Sequence, residues 1–524
     1  MKIHQENDRL INRFLRRYTA PVLLLLLTAL VTGCGSGGGD TTNGTGRINA
    51  IAIKLNTPAD LTSVSAPDYN ANVNGLITGA TLKRWKDDWI NQRPPGITGK
   101  LVILQVTPGE AGYSYFQSTN AATPNNAPTN VVVYLAASAE WVMTRSNGVI
   151  STPSMVLDGP SIDAELNKYG IDPVHDMIVV AQGTANPGNV MSQGRAWLAL
   201  RYWGVDAKHL AILNGGNKWQ FDSGAMTAAD FSTTAAAPAS LPAGTYTVKS
   251  LPYDNTSLIA NVGDMLSLVP SSPSASMKGT GIFLWDARTT TQYSAGYMRE
   301  ANDGAAAGCG AAAYCNASPT FNYMASFQNN GSRQGHPYGA VDLNFINLLD
   351  ATKGFSFKPM AQLASYMNGE VDAAGNGMTY GSMVNGVYQQ PLVGAGNAYQ
   401  PGDTVITYCE TSFRAMITGI ASAVILGHPT RIYDGAMIEW NSLSNLPDST
   451  GNDILPANSP WRTDVKSFFR PASSAGLVAT RQIMDPYALN ANAIIAIDKA
   501  YKTPSASSTS AASGGAAPAN PCGG

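Results

Sequence analysis

The chain has 524 residues, of which 33 are basic, 35 are acidic and only 13% are charged. A balanced charge without a basic stripe argues against nucleic-acid binding, because such binding depends on clustered lysine and arginine side chains. The length is sufficient for two or three domains.

The N-terminus has the pattern of an export signal. Basic residues precede a short apolar run, Val22–Val31, which is too short to span a bilayer because spanning takes about 20 residues. The run ends at Gly33-Cys34 and resembles a bacterial lipobox. That resemblance implies that residues 1–33 are a signal peptide, removed by cleavage before Cys34, which is then lipidated. An ordinary signal peptide with a chance cysteine is the alternative.

Lipid at Cys34 would tether the mature protein to a membrane of the cell envelope without spanning it, since acyl chains anchor by burying methylene groups. No Asp follows Cys34, and by analogy with bacterial sorting rules this favours the outer membrane. Residues 34–75 are interpreted as a flexible tether and N-terminal extension, because Gly35–Gly46 is rich in Gly and Thr.

Residues 76–222 contain the first copy of a strand–helix–strand pattern. Met177–Ala181 is a buried-type strand, Arg195–Trp203 a helix closed by Gly204, and His209–Leu213 the next strand. The polar sequence Asn214-Gly215-Gly216 follows that strand.

Residues 223–250 are rich in Ala, Thr and Pro and are predicted to be a linker. The second domain is predicted over 251–502, and Leu258–Val269 is predicted to be the helix that opens it. Residues 503–524, which include Cys522, have the composition of a disordered tail.

The second domain repeats the pattern. Thr404–Tyr408 is a buried-type strand, the segment Cys409–Arg414 follows it, and Thr430–Tyr433 is the next strand. Between them lies a helix with apolar residues at three- and four-residue spacing, namely Met416, Ile417, Ile420, Ala421, Val424 and Ile425. Strands that alternate with helices predict an α/β fold of two domains, each with a mainly parallel central sheet flanked by helices.

The repeated units resemble the tandem-domain rhodanese family, which includes thiosulfate and 3-mercaptopyruvate sulfurtransferases. The segments that carry the resemblance are Leu284–Arg288, Tyr293, Gly296, Gly335–Val341, Cys409–Ala415 and Tyr433–Trp440. The similarity covers roughly Leu76–Phe221 and Gly281–Trp440. It implies a sulfurtransferase activity that uses no metal and no other cofactor.

Cys409 is the predicted nucleophile. It leaves a strand and precedes a helix, and helix N-termini stabilise the reactive thiolate. The resemblance implies that Cys409 carries a persulfide, cradled by the backbone amides of the loop, whose remaining members are Glu410, Thr411, Ser412 and Phe413.

Four further residues are predicted at the site: Arg414 beside Cys409 in the catalytic set, with Asp286, Arg288 and His336 in support. Arg414 closes the loop, and it either faces an anionic donor or forms a salt bridge, for which Asp286 is a candidate partner. Arg288 shares the Asp-x-Arg pattern with Asp286. His336 is expected to order the loop before Gly339, with a catalytic role as the alternative.

The second domain departs from the family's pattern in two ways. Glu410 places a carboxylate beside the nucleophile, and residues 289–292 contain no cation, so both features disfavour thiosulfate as the donor. An insertion at about 297–334 is either a lid or docking loop or a plain surface insertion. It contains Cys309 and Cys315, which an envelope compartment would allow to form a disulfide; free thiols or a soft-metal site are the alternatives.

The first domain is predicted to be inactive. Gln182 stands at the position of Cys409, and a glutamine cannot form a persulfide. Gln105-Val106-Thr107 stands where the second domain has Asp286-Ala287-Arg288.

Three functions remain open on the sequence. The first is an enzyme that moves sulfur from a small donor to a thiol acceptor through Cys409. The second is a binding or accessory lipoprotein, which either handles selenite-type chalcogen oxyanions or docks on an outer-membrane redox complex. The third is a structural lipoprotein with a relic site, against which the intact segment Cys409–Arg414 argues.

Overall fold

The computed structural model describes residues 52–118, 130–147, 150–235, 246–270, 277–288, 336–368, 383–384, 387–388, 398–443, 482–483 and 493–503. The signal peptide, Cys34, the Gly-rich tether, Cys309, Cys315, the insertion and Cys522 all lie outside these ranges. The described residues belong to one compact unit, so the two repeats share an interface.

The described strands are β1 (Lys54–Leu55), β2 (Gly75–Ile77), β3 (Leu101–Gln105), β4 (Tyr115–Phe116), β5 (Val131–Leu135), β6 (Met143–Ser146), β7 (Ile150–Met155), β8 (Met177–Ala181), β9 (Leu210–Leu213), β10 (Phe231–Ser232), β11 (Tyr253–Asp254), β12 (Ile259–Ala260), β13 (Ile282–Asp286), β14 (Val341–Asp342), β15 (Leu349–Asp350), β16 (Ser356–Phe357), β17 (Met383–Val384), β18 (Val387–Tyr388), β19 (Thr404–Tyr408), β20 (Thr430–Tyr433) and β21 (Gln482–Ile483).

The described helices are α1 (Gly79–Asp87), α2 (Trp89–Gln92), α3 (Gly159–Lys168), α4 (Pro187–Tyr202), α5 (Asn217–Asp222), α6 (Val262–Leu268), α7 (Met360–Met367), α8 (Arg414–Gly419), α9 (Ala436–Ser442) and α10 (Ala493–Lys502). Short 3-10 turns connect them at Ala59–Leu61, Ser138–Trp141, Ala207–His209, Ala228–Asp230, Val248–Ser250, Thr256–Leu258, Phe345–Leu348 and Ala351–Lys353.

Two five-stranded sheets dominate the structure, and the chain takes the same route through both. The first has the order β2-β9-β8-β3-β5 and the second β12-β20-β19-β13-β14. Every neighbouring pair in both sheets is parallel. The prediction of an α/β fold with two mainly parallel sheets flanked by helices is therefore confirmed.

The central strands are continuous apolar runs because helices cover both faces of a parallel sheet. All residues of β3 and β8 are buried, as are the last four residues of β19. In the second sheet, β19 lies between β13 and β20, with Trp285 opposite Thr407 and Thr407 opposite Ile432. The predicted strands Met177–Ala181, Thr404–Tyr408 and Thr430–Tyr433 are confirmed at the same bounds.

The central helices of the two halves, α4 and α8, pack against each other. A Cβ atom added at Gly194 would lie 2.2 Å from Cβ of Met416, so this glycine permits the close approach of the two helices. Helix α8 continues as a π-helix, Ile420–Ile425, in which the amide of Leu426 donates to the carbonyl of Ala421 (2.9 Å).

Two predicted segments differ from the structure. The helix expected over Leu258–Val269 is shorter: Ile259–Ala260 forms edge strand β12, and only Val262–Leu268 is helical. The boundary lies at Asn261, whose side chain accepts from the amide of Asp264 (3.0 Å) and so caps the helix. Within the predicted linker, strand β10 pairs antiparallel with β4.

The end of the chain returns to the first half. Helix α10 places Asp498 against Arg145, and both side chains are buried. The carboxylate accepts two hydrogen bonds from the guanidinium (2.6 and 2.7 Å) and a third from the hydroxyl of Tyr202 (2.7 Å). A strand from late in the chain, β21, pairs with β7 of the first half.

Candidate active site

Cys409 follows β19, the middle strand of the second sheet, and is a free, fully buried cysteine. Its carbonyl accepts from the amide of Met437 (3.1 Å), and the carbonyl of Glu410 accepts from the amide of Ile438 (3.2 Å). Both amides belong to the first turn of α9. The start of the loop is therefore held between a strand and a helix N-terminus.

The loop turns sharply before the helix. Ser412 has a φ of 66°, a left-handed conformation that is uncommon for a residue with a Cβ atom and clusters at functional sites. Its hydroxyl is buried and has no hydrogen-bond partner among the described residues. After this turn the backbone of Phe413 is already helical, and α8 begins at the next residue, Arg414.

The N-terminus of α8 is not capped by a side chain, since Phe413 occupies the N-cap position. The first amides of a helix have no partner inside the helix, and they carry partial positive charge. At the same position in the first half, the side chain of Asn186 accepts from the amide of Asn189 (2.9 Å) and caps α4. The helix end beside Cys409 is therefore the one suited to a thiolate or persulfide.

Asp286 and Arg288 form a buried pair beneath the loop. Nε and Nη2 of Arg288 donate to Oδ2 of Asp286 (3.1 and 2.6 Å), and Nε also lies 2.9 Å from Oδ1. Burial alone would lower the pKa of Arg288, but the adjacent Asp286 carboxylate raises it above its usual value. The guanidinium therefore stays charged.

Glu410 faces this pair. Its Oε2 lies 3.7 Å from Nη1 of Arg288, and its side chain is 15% exposed. The guanidinium therefore offsets part of the negative charge that the sequence places beside the nucleophile.

The other predicted site residues lie around the loop. Arg414 and Thr411 are half-buried. Asp286, the partner considered for Arg414, is bound by Arg288. His336 is half-buried and precedes β14. Strand β14 pairs with β13, and in that pairing Asp342 lies opposite Asp286.

Sequence reasoning missed an ion pair that joins the halves at this site. Nη1 of Arg195, in the middle of α4, donates to Oδ1 of Asp434 (2.6 Å), and neither side chain is exposed. The other carboxylate oxygen of Asp434 accepts from the amide of Val156 (2.7 Å). The signal was an arginine directly before the apolar run Ala196–Leu200 of a predicted helix, since a charged residue in such a place needs a buried partner.

A second contact between the halves holds α9. Oε1 of Glu439 accepts from Nδ2 of Asn147 (3.0 Å), a residue that lies between β6 and β7. Burial raises the pKa of Glu439 to about 7, and the negative charge of Asp434 adds to this effect. Because α9 clamps the start of the Cys409 loop, the protonation of Glu439 bears on the site.

The matching position in the first half has different chemistry. Gln182 is buried there, and its backbone carbonyl accepts from the hydroxyl of Thr107 (2.9 Å). Gln105 replaces Asp286; it donates to the carbonyls of Thr107 and Ser114 and accepts from the amide of Phe116. Gln105 at this end of the first sheet is neutral and bound to backbone, and the carboxylate nearby, Glu110, accepts from the amide of Ala185 (3.1 Å).

Within the described ranges, no group of three or more His, Cys, Asp or Glu side chains is arranged to hold a metal ion. No helix in the same part of the chain combines the length and the apolar character needed to cross a bilayer.

No family model matches the chain, and no curated protein matches it. Among solved structures, it is similar to YnjE (14% identity, TM-score 0.40, 75% of this chain and 70% of that chain). It is also similar to Tum1 from Saccharomyces cerevisiae (14%, 0.42, 70% and 95%). A third is an EanB variant in complex with ergothioneine (12%, 0.41, 72% and 72%).

Proposed function

We propose that the protein is a sulfurtransferase, in which Cys409 accepts a sulfur atom as a persulfide and passes it to a thiol acceptor. The observation that carries the proposal is the place of the thiol. Cys409 lies between the middle strand of a parallel sheet and a helix that has no side-chain cap. Ligand sites of parallel α/β folds lie at this end of the strands.

The reaction needs two displacements. The Cys409 thiolate attacks the outer sulfur of the donor; a new S–S bond forms, and the donor's bond to that sulfur breaks with the electron pair leaving on the donor. An acceptor thiolate then attacks the outer sulfur of the persulfide and releases the Cys409 thiolate. No external oxidant or reductant is consumed.

The surroundings place partial positive charge beside Cys409. The uncapped end of α8 supplies it, and the α9 amides hold the start of the loop. Arg288 offsets the charge of Glu410, which would otherwise oppose a thiolate one residue away.

Cys409 is fully buried, so a donor reaches it only when side chains around the loop move. Small donors are therefore expected to load the thiol faster than bulky ones. The comparison of a small alkylating reagent with a maleimide of high molecular mass measures this access directly.

The test is the intact mass of the protein after incubation with thiosulfate or 3-mercaptopyruvate. The variant used changes Cys309, Cys315 and Cys522 to serine and lacks residues 1–34, so Cys409 is its single thiol. We expect one added sulfur atom that is lost on addition of a thiol, and no addition after Cys409→Ser. Failure of every sulfur donor would refute the proposal, and co-purification with a membrane complex would then favour an accessory role.

We further propose that the reaction takes place at a membrane surface, through lipid on Cys34, with the outer membrane as the site. The support is the sequence pattern that ends in Gly33-Cys34. Detergent-phase partition of the full chain and of Cys34→Ala tests it. We expect Cys34→Ala to move to the aqueous phase; retention in the detergent phase would contradict a lipid anchor at this residue.

A further inference from the structure

Arg195 has more hydrogen-bonding capacity than the described structure uses. Its Nη1 is paired with Asp434, but the buried Nε and Nη2 have no hydrogen-bond partner among the described residues. These two atoms form the side of a guanidinium that binds two oxygens at once. Arg288 uses that same side to bind Asp286 in this structure.

The guanidinium of Arg195 lies close to the Cys409 loop. Thr407 is opposite Ile432 in the sheet, so Cys409 and Asp434, each two residues further along, come at the same level of neighbouring strands. Neighbouring strands are about 5 Å apart. Phe413, a loop residue, has its ring centroid 5.7 Å from the Arg195 guanidinium.

A buried cation with two unpaired donors is costly, because each donor has lost water without gaining a partner. The ion pair with Asp434 uses only Nη1 of Arg195. Asp434 therefore balances the charge of Arg195 but leaves Nε and Nη2 without a partner among the described residues. Ser412, whose hydroxyl is also buried without a partner among the described residues, belongs to the same loop.

We propose that the Nε–Nη2 side of Arg195 binds the oxyanion group of the sulfur donor. Carboxylate and sulfonate groups present two oxygens with the spacing that this side of a guanidinium matches. The donor is thereby held with its sulfur toward Cys409. This inference rests on the proposed sulfurtransferase function and assigns a specificity residue to the first half of the chain.

Kinetics with two kinds of donor test the assignment. Arg195→Met is compared with the parent protein on thiosulfate and 3-mercaptopyruvate, which carry an oxyanion group, and on an alkyl hydropersulfide, which gives up its terminal sulfur with an alkyl thiolate as the leaving group and has no oxyanion group. We expect KM for the oxyanion donors to rise about tenfold or more, with kcat/KM for the hydropersulfide changed less than about twofold. An equal loss with both kinds of donor, or no loss with either, overturns the proposal.

Asp434→Asn is the matched control, since it keeps the shape of the side chain but removes the negative charge beside Arg195. If Arg195 binds the donor, this variant binds anionic donors at least as tightly as the parent. If Arg195 and Asp434 only hold the two halves together, both variants lose activity with every donor.

A binding measurement separates this inference from the proposed chemistry. Sulfite is titrated calorimetrically into Cys409→Ser and into Cys409→Ser/Arg195→Met, and thermal unfolding verifies that each is folded. We expect sulfite to bind only when Arg195 is present. Absence of binding to both proteins, or equal binding, overturns the inference whether or not a persulfide forms. If the methionine variant does not fold, Arg195→Lys replaces it, and unchanged sulfite affinity there is the contrary result.

Discussion

The ends of the two middle strands, β8 and β19, occupy the same place in sheets of the same strand order, yet they carry different chemistry. At the first, Gln182 precedes a helix that Asn186 caps. At the second, Cys409 precedes a helix whose N-cap residue, Phe413, offers no cap. The fold is repeated, whereas the site is made by a few side chains at one of its two copies.

The halves also hold each other in a reciprocal way. The residue after β9, Asn214, accepts from the amide of Phe357 in the second half (2.7 Å). The residue after β20, Asp434, accepts from the amide of Val156 in the first half (2.7 Å). Only the second contact adds a charge, through Arg195. The difference shows where a neutral interface became an ionic one beside the proposed nucleophile.

The largest expected effect is a difference in sulfur loading between the end of β19 and the end of β8. Cys409→Ser should abolish sulfur loading, whereas Gln182→Ala should leave it unchanged because Gln182 serves the other sheet. The double variant Cys409→Ser/Gln182→Cys should not recover loading, since Asn186 occupies the helix end there. Intact mass after donor treatment measures all three, and loading of the double variant would show that the two ends are equivalent.

The second effect concerns the residues beneath each loop. Asp286→Asn leaves a buried Arg288 without its carboxylate, which should lower the free energy of unfolding by about 3–5 kcal/mol. Gln105→Ala removes only neutral hydrogen bonds to backbone, for which about 1–3 kcal/mol is expected. Urea denaturation measures both, and equal losses would mean that the charged pair contributes no more than its neutral counterpart.

The third effect is the pH dependence that Glu439 contributes in the second half. Glu439 keeps its proton up to about pH 7 in the folded protein but ionises near 4.5 when unfolded. The folded state therefore binds more protons between these values, and its stability falls as the pH rises through that window, by about 3 kcal/mol.

Glu439→Gln should remove that contribution, whereas the contribution of half-buried His428, whose pKa is lowered to about 4, has the opposite sign and should persist. The glutamine variant copies the first half, where the neutral Gln220 of α5 donates to the carbonyls of Asn214 and Gly215. Urea denaturation at pH 5 and pH 8 measures the difference, and an unchanged slope in the variant would assign the dependence to other groups.

The smallest effect comes from removing the cap of α4. Asn186→Ala should cost about 1 kcal/mol of stability without changing sulfur loading. The reason is that Asn186 caps the helix of the other half. Urea denaturation measures the stability and intact mass measures the loading; slower loading in this variant would show that the two helix ends are coupled.

The sequence predicts the middle strands β8 and β19 and their neighbours β9 and β20 because buried parallel strands are mainly apolar runs, and here the pattern occurs twice. It also places Cys409 at a strand end. The start of α4 was predicted too late, at Arg195 and not Pro187, although Asn186-Pro187 is a recognisable helix start.

The ion pairs of the site lie beyond such reasoning. Arg195 and Asp434 are 239 residues apart, and no local pattern connects them. The choice of Arg288 as the partner of Asp286 depends on side-chain geometry at the end of β13. Strand β12 has only two residues, so its pairing with β20 leaves no periodicity to detect.

The pairing of Arg145 with Asp498 has a consequence for the order in which the protein is made. Arg145 emerges from the ribosome long before Asp498, 353 residues later, and until then it is a cation that cannot be buried without penalty. The first half is therefore expected to remain incompletely folded until α10 has been synthesised. Ribosome-bound chains that stop before residue 493 should be cleaved by protease in their first half, and release of the full chain should protect it.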